Sequence, residues 1–393
     1  MVKNKKAYIV LGLGYGDEGK GLTTDYLCSI AKNPIVIRFN GGHQAGHTVL
    51  FEGRRHVFSH IGAGTLRGTP TYWSEYCTFS PSALNYELNK LNESGVIYVN
   101  NRCPVVTHYD WLFNRCLEDY RSESRHGSCG EGIGATYERN EIKDLKFIVE
   151  DLKDKSFCIS QLRKIREYYH VRMNELGISF EEYDHEKEDH MFFSEIEKLN
   201  ELINFKLIKV ITSEKFSDII SNWSTFIFEG AQGILLDQKH GEFPYVTRSY
   251  TTSSNAINLV ERFISGAEIE IVYVTRAYHT RHGNGVFKED NDVIKKNFNL
   301  ETNINNHYQG RFKKSYLDIN LLNKALEIDS KYSKNYVKNL MITCLDQIGE
   351  KLVCRYNSEL ITITPDFLPE LLDSNFKTIW VSYGPTSDTV TNL

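Results

Sequence analysis

The sequence predicts an α/β fold, with a mainly parallel central sheet flanked by helices, P-loop-like phosphate-binding loops at strand ends, and insertions between elements. Three observations carry that prediction. Short runs rich in β-branched residues are bounded by glycine or polar turns, they alternate with helical stretches, and they run directly into loops with chemical content. Strands of this kind belong to sheets covered by helices, which bind ligands at their strand ends.

In chain order, Tyr8–Leu13 reads as a buried strand that passes into Gly12-Leu13-Gly14-Tyr15-Gly16-Asp17-Glu18-Gly19-Lys20-Gly21, with a helix over Leu22–Ala31. Ile35–Arg38 is a second strand, ending in Arg38-Phe-Asn-Gly-Gly-His43-Gln44-Ala-Gly46-His47-Thr48. Leu152–Leu176 and Phe192–Phe205 read as helices, and the acid-rich Glu181–His190 between them as a solvated loop or helix end. Thr225–Glu229 and Ile269–Thr275 are further buried strands. No fixed-period repeat and no Gly/Ser-rich or Pro-rich linker interrupts the chain, so residues 1–393 are expected to form a single domain with insertions.

Composition narrows the class of function. With 41% hydrophobic and 25% charged residues, 27 Gly and 8 Pro, the chain is neither fibrous nor disordered. A net charge of −5 provides no positive field for a nucleic-acid backbone, which argues against a polymeric nucleic-acid partner and leaves small anionic substrates open. No run approaches the roughly 18 apolar residues of a membrane span, and the start of the chain reads as a strand leading into a loop, not as a signal peptide. The eight cysteines show no metal-binding spacing, so reduced thiols in a cytoplasmic protein are expected and zinc is not.

The first loop has two parses. Gly14, Gly16 and Gly19 satisfy a dinucleotide pattern, whereas Gly14-x4-Gly19-Lys20 satisfies most of a phosphate-loop pattern, with Gly21 where a magnesium-ligating hydroxyl is usual. Lys20 decides for phosphate, because a cation beside the amides of a helix start holds polyphosphate charge that a dinucleotide turn leaves to the backbone. With the hydroxyl missing, Asp17 is the nearest group able to ligand a metal. His43 and His47 are four apart, but the glycines around them oppose the helix a zinc pair would need, so a histidine acting on substrate is the better reading.

GDEGKG followed by GGHQAGHTV resembles the adenylosuccinate synthetase family. The resemblance continues in family order through Gly130-x-Gly132-Ile133-Gly134, Phe228-Glu-Gly-Ala-Gln232-Gly, Leu235-Leu-Asp237, His240-Gly-x-Phe-Pro-Tyr-Val-Thr247, Thr280-Arg281-x-Gly283, Leu345-Asp346 and Ser382-Tyr-Gly384-Pro385. It implies a ligase that phosphorylates the 6-oxygen of IMP with GTP and displaces that phosphate with aspartate, a homodimer whose expected partners are nucleotides, an amino acid and a second copy of the chain. Implied catalytic residues are Asp17 as base at purine N1, His47 on the developing charge, Lys20 and Gln232. GTP and its phosphates would be held by Gly16, Glu18, Gly19, Lys20, Gly21, Gly46 and Thr48, with Asp346, Ser382, Gly384 and Pro385 around the guanine. The purine monophosphate falls to Asp17, Gln44, Ser128, Cys129, Lys143, Gln232, Thr247 and Arg311, the amino acid to Gln309, Gly310 and Arg311, and Mg2+ to Asp17 and the Gly46 carbonyl.

Against the family pattern, Cys344 replaces a lysine beside Asp346, Glu131 an arginine, and Lys143 the arginine that reaches across a dimer. The His307–Lys314 loop keeps Arg311 but lacks two threonines, with Phe312 in place of an arginine. These changes point to an altered substrate pocket around an intact phosphoryl-transfer centre. A paralogue using a guanylate or another amino acid is therefore the nearest alternative. A non-catalytic GTPase switch is the alternative of another class, disfavoured by the missing Walker hydroxyl and NKxD lysine.

Overall fold

The computed structural model describes residues 5–91, 95–179, 183–296, 303 and 307–393. Glu181 and Glu182 of the acid-rich segment and residues 1–4 lie outside the described residues. In chain order the strands are β1 (Lys6–Gly12), β2 (Pro34–Arg38), β3 (His47–Phe51), β4 (Arg54–Phe58), β5 (Thr71–Trp73), β6 (Ile97–Asn100), β7 (Ile208–Ile211) and β8 (Thr225–Gly233). They continue with β9 (Glu268–Arg276), β10 (Tyr278–His282), β11 (Phe312–Asp318), β12 (Val337–Thr343), β13 (Leu352–Tyr356), β14 (Glu359–Ile363), β15 (Thr378–Ser382) and β16 (Val390–Asn392).

One ten-stranded sheet has the order β16-β15-β12-β9-β1-β8-β2-β5-β6-β7. Every neighbouring pair is parallel except β15 with β16. The strands expected near Tyr8, Ile35, Thr225 and Ile269 are β1, β2, β8 and β9, four adjacent strands of that sheet. Their apolar sequences reflect burial on both faces: in β1, Ala7, Ile9 and Leu11 pack into one core, and Val10 packs on the other side with Leu27, Val272 and Met341.

The first loop leads into α1 (Lys20–Ile30), which begins two residues before the expected Leu22. After α2 (Pro81–Leu88), helix α3 (His108–Arg121) opens with a reciprocal cap: the Asp110 amide donates to Thr107 Oγ1 (3.3 Å) and the Thr107 amide to Asp110 Oδ2 (2.7 Å). Helix α4 (Ile133–Asn140) follows. The long helices are α5 (Lys155–Glu175) and α6 (His185–Asn204), so the second starts well before Phe192. Its first turns are too polar to show an apolar stripe, but Asp184 caps them by accepting from the Lys187 amide at 3.1 Å. The described part of the acid-rich segment is thus mostly helix, and Asp189 within it accepts from the Tyr109 hydroxyl at 2.9 Å. A second core lies between these helices and β3–β7, through residues such as Leu84, Phe113, Leu162 and Phe192.

A four-stranded sheet, β10-β11-β13-β14, stands beside the main one; β10 follows directly from β9 and pairs antiparallel with β11, placing His282 opposite Phe312. Among the described residues no helix is long and apolar enough to cross a membrane. All eight cysteines are free thiols.

Candidate active site

The parallel strands β15, β12, β9, β1, β8 and β2 all end on one edge of the sheet, and the loops leaving β1, β2, β8 and β9 wall a cleft of about 640 Å3. Gly16, Asp17, Gly19, Lys20 and Gly21 line it from the first loop, and Gln44, Gly46, His47 and Thr48 from the second. Ser128, Cys129, Gln232, Thr247 and Gln309 complete the set of sequence-predicted residues that face this space. Residues from six separate segments therefore converge on one site.

Glu18 is turned away from the cleft and organises the first loop. Its Oε1 accepts from the amides of Gly14 (3.0 Å) and Gly16 (2.7 Å), and its Oε2 pairs with Lys20 Nζ at 2.6 Å. A carboxylate buried at 4% exposure needs this many donors, and in return it fixes the turn that presents Asp17 and Lys20. Thr343 at the end of β12 locks the loop from the other side by donating to the Glu18 carbonyl at 2.7 Å.

Asp17 sits in the left-handed region at φ 62°, which swings its carboxylate toward the cleft with its side chain 29% exposed. Its Oδ2 lies 3.1 Å from His282 Nε2, and Arg276 donates to its backbone carbonyl. Burial pushes the carboxyl pKa up, but His282, Arg276 and Lys20 together outweigh it and hold the group below the usual carboxylate range. Asp17 is therefore ionised at neutral pH.

His47 begins β3 with its ring against Glu229, the Nδ1–Oε1 distance being 2.6 Å. Glu229 is fully buried, and its other oxygen accepts from the Ala63 amide at 3.1 Å. Burial lowers the His47 pKa against the opposing pull of Glu229, so the imidazole is neutral at pH 7, donates through Nδ1 and has Nε2 left for the cleft. His43 does not join it. Its Nε2 pairs with Glu131 at 3.0 Å and its ring stacks on His60, so the two histidines face different carboxylates.

Glu229, Arg276 and His282 are functional candidates that sequence reasoning did not single out. For Glu229 a signal exists: a carboxylate closes the otherwise apolar run Thr225–Phe228 in the middle of a sheet. Arg276 and His282 carry no comparable local mark.

Other predicted residues lie outside this cleft. Lys143 is exposed in a short turn after α4. Arg311 pairs with Glu289 at 2.7 Å, next to Gly310 at φ 94°. Asp346 occupies the turn after β12, and Ser382, Gly384 and Pro385 follow the neighbouring β15, so these four share the same sheet edge beyond the cleft. Ser382 Oγ donates to the Gly384 carbonyl at 2.7 Å and so shapes that loop.

The family model for adenylosuccinate synthetase matches residues 9–361. The chain belongs to the adenylosuccinate synthetase family. It is thereby a ligase that forms a C–N bond, in a family that uses GTP. The adenylosuccinate synthetase of Proteus mirabilis (strain HI4320) is 30% identical over 380 residues, covering 91% of this chain and 82% of the relative. That of Marinomonas sp. (strain MWYL1) is 33% identical over 298 residues, covering 72% and 64%. Among solved structures, the fully ligated adenylosuccinate synthetase from Plasmodium falciparum superposes with TM-score 0.75 at 20% identity, covering 99% of this chain and all of the other. The cyanophage S-2L succinoaminodeoxyadenylate synthetase (PurZ), bound to dGMP and to dATP as an energy donor, superposes with TM-score 0.64 at 16% identity, over 99% and 95%. At such identities these two structures share the fold.

Among the described residues no group of three or more His, Cys, Asp or Glu side chains forms a closed metal cage, whereas Asp17 and Gly46 both line the cleft. One carboxylate and one carbonyl are the sparse protein share typical of Mg2+ when nucleotide phosphates and water fill the octahedron.

Proposed function

We propose that the cleft joins IMP to L-aspartate at the expense of GTP, through a 6-phosphoryl intermediate, to give adenylosuccinate, GDP and phosphate. The observation that carries this reading is the convergence of Asp17, Lys20 and His47 in one cleft of a chain that matches the family over nearly its full length. Both curated relatives are adenylosuccinate synthetases, which does not favour the paralogue with a different purine.

In the first step the 6-oxygen of the purine attacks the γ-phosphorus, the bond to GDP breaks, and the N1 proton passes to Asp17. An ionised carboxylate against the base edge is suited to this transfer. His47 stands where negative charge builds between the 6-oxygen and the γ-phosphate. That charge raises its proton affinity, and Glu229 at 2.6 Å stabilises the imidazolium, so the neutral resting ring becomes a charged donor when substrates arrive. Lys20 lies at the start of α1, where the backbone amides and the cation together attract phosphate. Asp17 and the Gly46 carbonyl would hold Mg2+, which would supply positive charge against that of the nucleotide phosphates. In the second step the aspartate amine attacks C6, phosphate leaves, and the amine releases a proton.

Gln232, Thr247, Ser128 and Gln44 take the purine monophosphate in this reading, and Gln309 the amino acid, with Gly310 and Arg311 at the edge of the same loop. Among the described residues Gln44 Oε1 has no hydrogen-bond donor although it is buried, as expected of a group awaiting a ligand donor. Burial pushes the Cys129 thiol up to about 12, so it contributes as a weak neutral donor and not as a thiolate. Asp346, Ser382, Gly384 and Pro385 receive the guanine. Exposed Lys143 would act across a homodimer, in the active site of a second copy. Purified protein incubated with a matrix of purine monophosphates, amino acids and GTP or ATP tests the reading through phosphate release. IMP, aspartate and GTP should give the highest rate, and faster turnover of a guanylate or another amino acid would overturn it.

A further inference from the structure

A nucleoside monophosphate carries a dianion, and the cleft must meet it with a cation that the protein has not already spent on itself. Six cleft-lining side chains are Lys or Arg, and four of them have hydrogen bonds inside the protein. Lys20 bonds to Glu18 and Arg121 to Glu118, while Arg276 and Arg281 bond to the backbone carbonyls of Asp17 and Val286. Among the described residues, no hydrogen bond fixes the guanidinium of the remaining two, Arg55 and Arg248. Arg55 belongs to the β3–β4 hairpin that carries His47 and Thr48, at the triphosphate end.

Arg248 directly follows Thr247, and its stem crosses the first turn of α4: a Cβ on Gly134 would lie 3.2 Å from Arg248 Cγ, so glycine there leaves room for the approach. The backbone on both sides is pinned. The Thr247 amide donates to the Leu236 carbonyl at 2.8 Å, and Ser249 accepts the Gln238 amide on its carbonyl (3.2 Å) and the Gly41 amide on its hydroxyl (3.1 Å). Among the described residues, Glu138 is the acid that pairs with the guanidinium, at 3.6 Å and beyond hydrogen-bond range, and its other oxygen binds Arg172 more closely at 2.9 Å. The side chain lines the cleft 56% exposed, and among the described residues no hydrogen bond occupies its fork of donors.

We propose that Arg248 binds the phosphate of the nucleoside monophosphate from within the same chain, and is the residue that distinguishes nucleotide from nucleoside. This rests on the function proposed above. An arginine serves here because its planar fork meets two phosphate oxygens at once.

The test compares calorimetric binding of IMP, inosine and GTP to wild type, Arg248→Met and Arg248→Lys, with steady-state kinetics and melting midpoints as companions. In Arg248→Met, IMP binding should weaken about 10- to 100-fold, the range for losing charge-assisted hydrogen bonds, while inosine and GTP binding stay as in wild type. The loss should appear in KM for IMP and not in kcat at saturation, and Arg248→Lys should recover part of it. Unchanged IMP binding in Arg248→Met, or an equal loss for inosine and GTP, would overturn the proposal. Should wild type bind no 6-oxopurine monophosphate at all, the functional reading itself fails and Arg248 falls with it.

Discussion

Replacing Glu229 by Gln tests the His47 arrangement without removing His47. The carboxylate accepts two hydrogen bonds, from His47 Nδ1 at 2.6 Å and from the Ala63 amide at 3.1 Å, in a fully buried position. Glutamine offers one carbonyl and one NH2 to these two donors, so one donor must face another. If the carbonyl keeps His47, the Ala63 amide is left unpaired at a cost of about 1–3 kcal/mol. If the side chain flips, His47 must shift its proton to Nε2 and loses the lone pair facing the cleft. Either way the charge that supports an imidazolium is gone, and the loss in kcat should be about 10²–10³, or roughly 2.7–4 kcal/mol of transition-state stabilisation, as for removal of one oxyanion donor. Phosphate release with saturating IMP, aspartate and GTP measures kcat, and a urea midpoint measures stability. Glu229→Gln, His47→Asn and the double variant complete a cycle, in which the double should be hardly slower than His47→Asn alone because the two residues act as one unit. Additive losses, or a Glu229→Gln enzyme as fast as wild type, would refute the idea that Glu229 acts through His47.

Asp17→Asn should retain the fold and lose ligation, since it removes the proton acceptor and a metal ligand together; turnover above about a tenth of wild type would remove Asp17 from both roles. Asp346→Asn should reduce the preference for GTP over ATP by roughly 1–3 kcal/mol in relative kcat/KM, and an unchanged ratio would place guanine recognition elsewhere. Stability should fall on acidification. Asp17, Glu131 and Glu229 are held below the usual carboxylate range, and His47 and His60 below the usual imidazole range. In each case the unfolded chain binds more protons, so this contribution is complete above a pH of about 6.5 and is lost first through the histidines and then through the carboxylates as pH falls. A denaturation midpoint that holds or rises between pH values of about 7.5 and 5 would contradict the signs assigned here.

Elements whose character is local can be read from the order of residues alone. β1, β2, β8 and β9 are legible because strands buried on both faces must be apolar throughout, and the glycine-rich loop after β1 because a tight turn is built from consecutive residues. The start of α6 was not legible, since its first turns rest on an Asp184 cap and exposed acids where an apolar stripe would otherwise mark a helix. Nor was the inward turn of Glu18, because a carboxylate beside a glycine loop reads equally well as facing ligand or protein.

What the polar groups do to one another is set by contacts between distant segments of the chain. Glu229 stands 182 residues from His47 and Arg276 stands 259 from Asp17, yet the register of β8 and β9 beside β1 and β2 brings each pair into contact. The proton position on His47 and the ionisation of Asp17 follow from those encounters. Charge interactions depend on distance and burial, which a one-dimensional pattern does not encode. Backbone turns and apolar strands depend on neighbours along the chain, which it does.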